Sequence, residues 1–222
     1  MTLIKTFINT EQTTSYGGLM LNIAVLGSTK GTDLQAVIDD IESKKLAAKI
    51  SFVLSNKKDS YILERAKKHN LNAIFLDPKA KTTVEYDDEI TKLLESNKVD
   101  LILLIGYMKL MSHGFVDQWR NKVMNIHPSL LPAFAGGMDK NVHKAVLERG
   151  CKITGASLIF IDEGADTGPI ILQKAVNVEG NDTIDSLKEK VQEAEQDILL
   201  NGIKLFAEGK LKVESKKVAI LK

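Results

Sequence analysis

The apolar positions of this chain fall into short blocks that switch between two kinds of spacing. "NIAVLGS", residues 22–28, is a continuous apolar run closed by Gly27, the pattern of a strand covered on both faces. "TDLQAVIDDIESKKL" then places Leu34, Val37, Ile38 and Ile41 at helical spacing. The alternation continues with strand "ISFVLSN", helix "YILERAKKHN", strand "NAIFLD", helix "VEYDDEITKLLESNKV" and strand "DLILLIGY". A helical stretch near "HGFVDQWR", the strand "KVMNIH" and the helix "NVHKAVLERG" follow. Strands "ITGASLIFI" and "ILQKAVNV" come next, and a long helix runs from Thr183 to about Glu208. Strands alternating with helices predict βαβ units with right-handed crossovers. The expected fold class is α/β, a single domain with a mostly parallel sheet flanked by helices. Its expected span is 22–222, with 1–21 as an N-terminal extension, because Met1 to Gly18 is polar and patternless.

In such a sheet, ligands bind outside the carboxyl ends of the strands. Loops "GSTKGTD", "GYMKLMS" and "NIHPSLLPAFAGG" all fall there. In the last, Asn125 and His127 alternate onto one side of a strand, and Pro128 ends it. Two polar side chains therefore stand together at the mouth of a strand. In "GSTKGTD", Gly27 and Gly31 permit a tight turn before a helix whose free N–H groups suit a phosphate or carboxylate. Taken alone, that loop reads more simply as a plain strand-to-helix turn capped by Thr32.

Composition narrows the function. Apolar residues make up 44% and charged residues 27% of 222, which is ordinary for a soluble globular chain. The net charge of +1, with both signs interspersed, offers neither a nucleic-acid surface nor a polybasic membrane patch. "DLILLIGYMKLM" is too short to span a membrane, and "MTLIKTFINTEQTTSYGGLM" lacks the apolar region of a secretion signal. A cytoplasmic protein is expected. Cys151, alone, precludes an internal disulfide and reads as a small buried hydrophobe. Of the four histidines, His69 suits a helix end, while His113 and His143 read most simply as surface residues. No Cys/His cluster appears, so no metal site is expected. A catalytic His127 needs an orienting carboxylate. The loop "FIDEGADTGPIILQ" offers Asp162, Glu163 and Asp166. Asp166 stands just before a Thr-Gly-Pro bend that can aim it inward; the alternative is an Asx-turn onto its own backbone.

"NIHPSLLP", together with "DEGADTGPIILQ" and "NIAVLGSTKGTDLQAVID", resembles the folate-dependent formyltransferases from about Asn22 to the end. Within that family it is most similar to the members that formylate glycinamide ribonucleotide in purine biosynthesis. The resemblance implies a Rossmann-like fold and 10-formyltetrahydrofolate as co-substrate. The acceptor it implies is the primary amine of glycinamide ribonucleotide; metal and nucleic acid are not involved, and a homodimer stays open. It implies that Asn125 and His127 act at the formyl carbon and that Asp166 supports His127. Gly31, Thr32 and Asp33 map onto the family's phosphate loop. Met108, Lys109, Leu110 and Met111 map onto the stretch lining the pterin, with Asn125 also on the cofactor side. Gly106 and Met108 offer backbone to the ribonucleotide. Gln192 and Glu195 map onto the ribose and glycinamide end. Periodicity bears modestly on that pair: Ile184, Leu187, Val191, Ala194 and Ile198 form a stripe whose edge Gln192 and Glu195 flank. A solvated helix margin is the plainer alternative for Gln192.

The chain departs from the family at Asp33, where Asn is expected, and near Thr83, where some members have Arg. Lys109 replaces another Arg, and the loop after Pro132 is longer. Rival readings are a methionyl-tRNA formyltransferase, a formyltetrahydrofolate deformylase and a non-catalytic anion-binding module. The first is expected to carry a basic C-terminal addition and the second an N-terminal regulatory domain. Intact Asn125, His127 and Asp166 speak against the third.

Overall fold

The computed structural model describes residues 20–136 and 142–222. Most of the expected N-terminal extension, and residues 137–141 of the loop after Pro132, lie outside the described residues. The chain order is β1 (Leu21–Gly27), α1 (Thr32–Glu42), β2 (Ala48–Ser55), α2 (Tyr61–Lys68), β3 (Ala73–Phe75), α3 (Thr83–Ser96) and β4 (Leu101–Ile105). Then follow α4 (His113–Gln118), β5 (Val123–His127), α5 (Val142–Arg149), β6 (Ile153–Phe160), β7 (Ile170–Asn177) and α6 (Ile184–Ala207). A hairpin of β8 (Leu211–Glu214) and β9 (Lys217–Ile220) closes the chain. One nine-stranded sheet has the order β3-β2-β1-β4-β5-β6-β7-β9-β8. Strands β1 to β5 are mutually parallel, and β6 runs antiparallel to both β5 and β7.

Alternation along β1 feeds two cores. Ile23 and Val25 pack on one face with Leu34 and Val37 of α1 and Val191 and Ile198 of α6. Ala24 and Leu26 pack on the other with Tyr86 and Ile90 of α3 and Phe115 of α4. The inner strand β4 is covered on both sides, so none of its residues is more than 7% exposed. Each such Leu or Ile contributes roughly 1.5–3 kcal/mol by leaving water. Capping boxes begin α3 at Thr82 and α6 at Thr183. No helix among the described residues is long and apolar enough to cross a membrane.

Three details differ from the sequence reading. On α6, Leu187, Val191, Ala194 and Ile198 are buried, but Ile184 is 46% exposed because the inward stripe begins only after the first turn. His143 is buried, at 8% exposure, beside the inward Val142 and Val146 of α5. The β8–β9 hairpin was not expected. Its strands are short and partly exposed, and a single pairing, Ile170 with Lys217, joins it to β7.

The strand order reverses around β1, which has β2 on one side and β4 on the other. The loops after β1 and β4 therefore flank the crevice at the switch point of the sheet.

Candidate active site

Asn125 and His127 project from one side of β5, the side that carries Val123 into the α3–α4 core. Asp166 comes from the β6–β7 connection. Because β6 is antiparallel, this connection starts beside the beginning of β5, where Ile161 N donates to Val123 O at 3.1 Å. It then folds back along the sheet to reach Asn125 and His127. Arg120, in the turn before β5, ties down its first part. Its guanidinium stands 2.5 Å from Glu163 and also pairs with Asp117. The two carboxylates hold Arg120 above its usual pKa, and Arg120 in turn holds the Glu163 carboxyl below the usual range. Asp162 makes the Asx-turn: its Oδ1 accepts from Gly164 N at 3.1 Å and from Thr167 Oγ1 at 2.6 Å. Asp166, in contrast, has a φ of 56° and turns inward.

There its carboxylate gathers three partners. Oδ2 lies 3.3 Å from His127 Nδ1 and accepts from Gly136 N at 3.1 Å. Oδ1 accepts from Asn125 Nδ2 at 3.3 Å. The His127 and Asp166 side chains are 5% and 16% exposed. His127 Nε2 is buried and has no hydrogen-bond partner among the described residues. An imidazole fixed at Nδ1, with an unoccupied Nε2, can donate to or accept from a bound reactant. Asn125 keeps a second amide N–H for the same use. The loop after β5 is held by Ser157, fully buried on β6 opposite His127. Ser157 Oγ accepts from Leu131 N at 2.9 Å and donates to Ser129 O at 2.7 Å. Gln173 of β7 reinforces it, donating to Leu131 O at 3.0 Å.

At the crevice, Gly31 adopts a φ of 65° and ends as the N-cap of α1, with no side chain capping the first turn. Thr32 is thus the first helical residue rather than the cap. A Cβ on Gly31 would come within 2.4 Å of Ile62, so the turn needs glycine for space as well as for φ. Asp33 is buried in this first turn, at 7% exposure. Gln192, from the middle of α6, donates to Thr32 Oγ1 at 2.8 Å and so faces the loop rather than solvent. Glu195, one turn further on, is 8% exposed. The second loop begins at Gly106, with a φ of 56°. Ser28 joins the two loops. Its N–H donates to Gly106 O at 3.1 Å, and its Oγ accepts from Met108 N at 3.0 Å and donates to Asn56 at 2.6 Å. Along this loop Leu110 is 72% exposed, an apolar side chain left uncovered beside the crevice. Lys109 Nζ lies 3.4 Å from Thr83 Oγ1 and over the Tyr86 ring, so two of the departing positions meet. Burial raises the Tyr86 hydroxyl to about 12, and it stays neutral.

Eight of the expected residues thus fall into three groups, which leave out Asp33, Lys109, Leu110, Met111 and Glu195. Asn125, His127 and Asp166 are in direct contact. Gly31, Thr32 and Gln192 are bonded through Thr32. Gly106 and Met108 join the β1 loop through Ser28. The side-chain hydrogen bond of Gln192 goes to Thr32 and not to the Asn125–His127–Asp166 cluster. Sequence reasoning missed Ser28, Ser157 and the N–H of Gly136. It also missed Asp87, although an acid in register with Ile90 and Leu94 on an apolar stripe was a readable signal. Among the described residues, no group of three His, Cys, Asp or Glu side chains is arranged to hold a metal ion.

The chain is similar to known proteins along most of its length. A Haemophilus influenzae phosphoribosylglycinamide formyltransferase is 40% identical over 88% of this chain and 91% of its own length. The protein of that name from Escherichia coli is 36% identical over 87% and 90%. The crystal structure of glycinamide ribonucleotide transformylase 1 from Symbiobacterium toebii superposes with a TM-score of 0.86. It shares 38% identity, covering 91% of this chain and 95% of that one. Residues 21–203, which hold the crevice loops and the Asn125–His127–Asp166 cluster, match the formyl transferase family profile, and the chain belongs to that family.

Proposed function

We propose that this chain transfers the formyl group of 10-formyltetrahydrofolate to the primary amine of glycinamide ribonucleotide, a step of purine biosynthesis. The observation that carries the reading is the buried Nε2 of His127, without a hydrogen-bond partner among the described residues, backed at Nδ1 by Asp166 and flanked by Asn125. The amine nitrogen bonds to the formyl carbon, negative charge develops on the formyl oxygen, and the bond from that carbon to the folate nitrogen breaks. Asn125 Nδ2 and His127 donate to the oxygen where the charge grows. Asp166, 3.3 Å from Nδ1, fixes the orientation of the imidazole. The amine loses one proton and the folate nitrogen gains one; His127 and Asp166 carry it. Backbone N–H groups of Gly31, Thr32 and Asp33 hold the ribonucleotide phosphate at the start of α1. Gln192 and Glu195 face the rest of the ribonucleotide. Met108, Lys109, Leu110 and Met111 line the pterin. Both substrates are small and water-soluble, which fits a cytoplasmic enzyme.

A deformylase would use the same donors with water in place of the amine. Turnover of 10-formyltetrahydrofolate with and without glycinamide ribonucleotide, followed by absorbance of the folate product, separates the two. Deformylation only when the ribonucleotide is present supports the transferase. Equal rates in both arms would identify a hydrolase.

A further inference from the structure

We propose that Asp87 is a positioning residue for folate, acting through the backbone of the loop after β4. This inference rests on reading Met108–Met111 as the folate-lining stretch. Asp87 sits on α3, is 1% exposed, and is not used in the chemistry above. Its Oδ2 accepts from Ser112 N at 2.5 Å. Ser112 directly follows Met111 and caps α4, its Oγ accepting from Phe115 N at 3.3 Å. The other end of the stretch is fixed by Ser28 Oγ at Met108 N. Two clamps thus bracket Lys109, Leu110 and Met111, one from the β1 loop and one from α3.

The Asp87 clamp is an unusual choice for structure alone. Burial pushes its carboxyl up from the usual range, and its Oδ1 has no hydrogen-bond partner among the described residues. A buried carboxylate with one idle oxygen costs more than an amide or an apolar side chain at the same place. What the charge adds is a short, strong hold on one N–H of a loop that otherwise has an exposed apolar tip. The same helix also steadies Lys109, through Thr83 and the Tyr86 ring. The face of α3 that carries Thr83, Tyr86 and Asp87 is therefore the platform on which this loop rests.

The test compares wild type with Asp87→Ala and Asp87→Asn in steady-state kinetics, and in calorimetric binding of tetrahydrofolate, which needs no turnover. Asp87→Ala is expected to raise the folate KM and the tetrahydrofolate Kd by about tenfold, the lower end for a hydrogen bond to a charged group. The ribonucleotide KM should move by less than about twofold, a split that general destabilisation would not produce. Asp87→Asn keeps an oxygen for Ser112 N and should recover to within about threefold of wild type. If Asp87→Ala fails to fold, Ser112→Pro and Ser112→Ala carry the test. Proline suits the Ser112 φ of −69° and removes the N–H, whereas alanine keeps it. The proline variant should weaken folate binding well beyond the alanine variant, which loses only the contact of the Ser112 hydroxyl with Asp87. Unchanged folate affinity in the Asp87→Ala protein, or equal rises in both KM values, overturns the assignment. Wild-type protein that binds no tetrahydrofolate overturns the function reading as well.

Discussion

Replacing Asp166 by Asn removes one charge and keeps the side-chain shape. In the native site that charge stands 3.3 Å from His127 Nδ1. Unit charges at that separation attract by about 5 kcal/mol at an effective dielectric near 20. Asp166 is 16% exposed and shares its charge with the Gly136 and Asn125 N–H groups, so we take about half of this value, ~2.5 kcal/mol, as lost. Each 1.4 kcal/mol withdrawn from the transition state slows the reaction about tenfold. The expected fall in kcat is therefore roughly 60-fold, just below the scale of losing one oxyanion donor. The assay is kcat with both substrates saturating, alongside circular dichroism and a melting curve to establish that the variant is folded. His127→Ala should lose at least as much. The double variant should be little worse than His127→Ala alone, because Asp166 acts largely through the imidazole. A folded Asp166→Asn enzyme with kcat within threefold of wild type would rule out this role for Asp166, as would losses that simply multiply in the double variant.

Asp33→Asn should lower KM for the ribonucleotide with kcat nearly unchanged. A carboxylate about 6 Å from a bound phosphate charge repels it by roughly 3 kcal/mol before screening, and the gain should shrink at high salt; a rise in KM would contradict the placement of the phosphate. Gly106→Ala forces a side chain into a φ of 56° with its Cβ 2.3 Å from Thr29 Oγ1. About 2–3 kcal/mol of strain predicts a Tm lower by about 5–10 °C in a domain of this size, and a Tm within a degree of wild type would show that the two loops yield easily. Removing residues 1–19 should leave Tm and kcat nearly unchanged, as expected if the domain begins with β1; a large loss of either would place that segment in the working protein.

The strands were legible because a parallel sheet covered on both faces must be written as continuous apolar runs, as β1 and β4 are. The closing hairpin was not. "LKVESKKVAI" mixes lysines with apolar residues on a half-exposed edge, and nothing local separates it from a loop. Asn125 and His127 could be paired from the sequence because strand alternation is strict and Pro128 marks the strand end. Asp166 could not be told from Asp162 by local rules. Both sit in one glycine-rich loop, and only the fold-back of that loop gives one an Asx-turn and the other a histidine. Gln192 was ambiguous for a related reason. Periodicity set it at the margin of the buried stripe of α6, and only the packing of α6 beside α1 brings that margin to Thr32. Asp87 left one trace, an acid in register with Ile90 and Leu94, but its partner Ser112 N, like the Met108 N held by Ser28, lies far away in sequence and leaves no local pattern.

The proposed reaction moves the formyl carbon from folate to the ribonucleotide amine. The direct measurement supplies 10-formyltetrahydrofolate labelled with carbon-13 at the formyl group, together with glycinamide ribonucleotide, and follows the label by NMR. The label should appear as a formamide on the ribonucleotide, mole for mole with tetrahydrofolate, and stay on folate in the Asp166→Asn and His127→Ala enzymes over the same interval. Label released as free formate, at a rate indifferent to the ribonucleotide, would contradict that reaction.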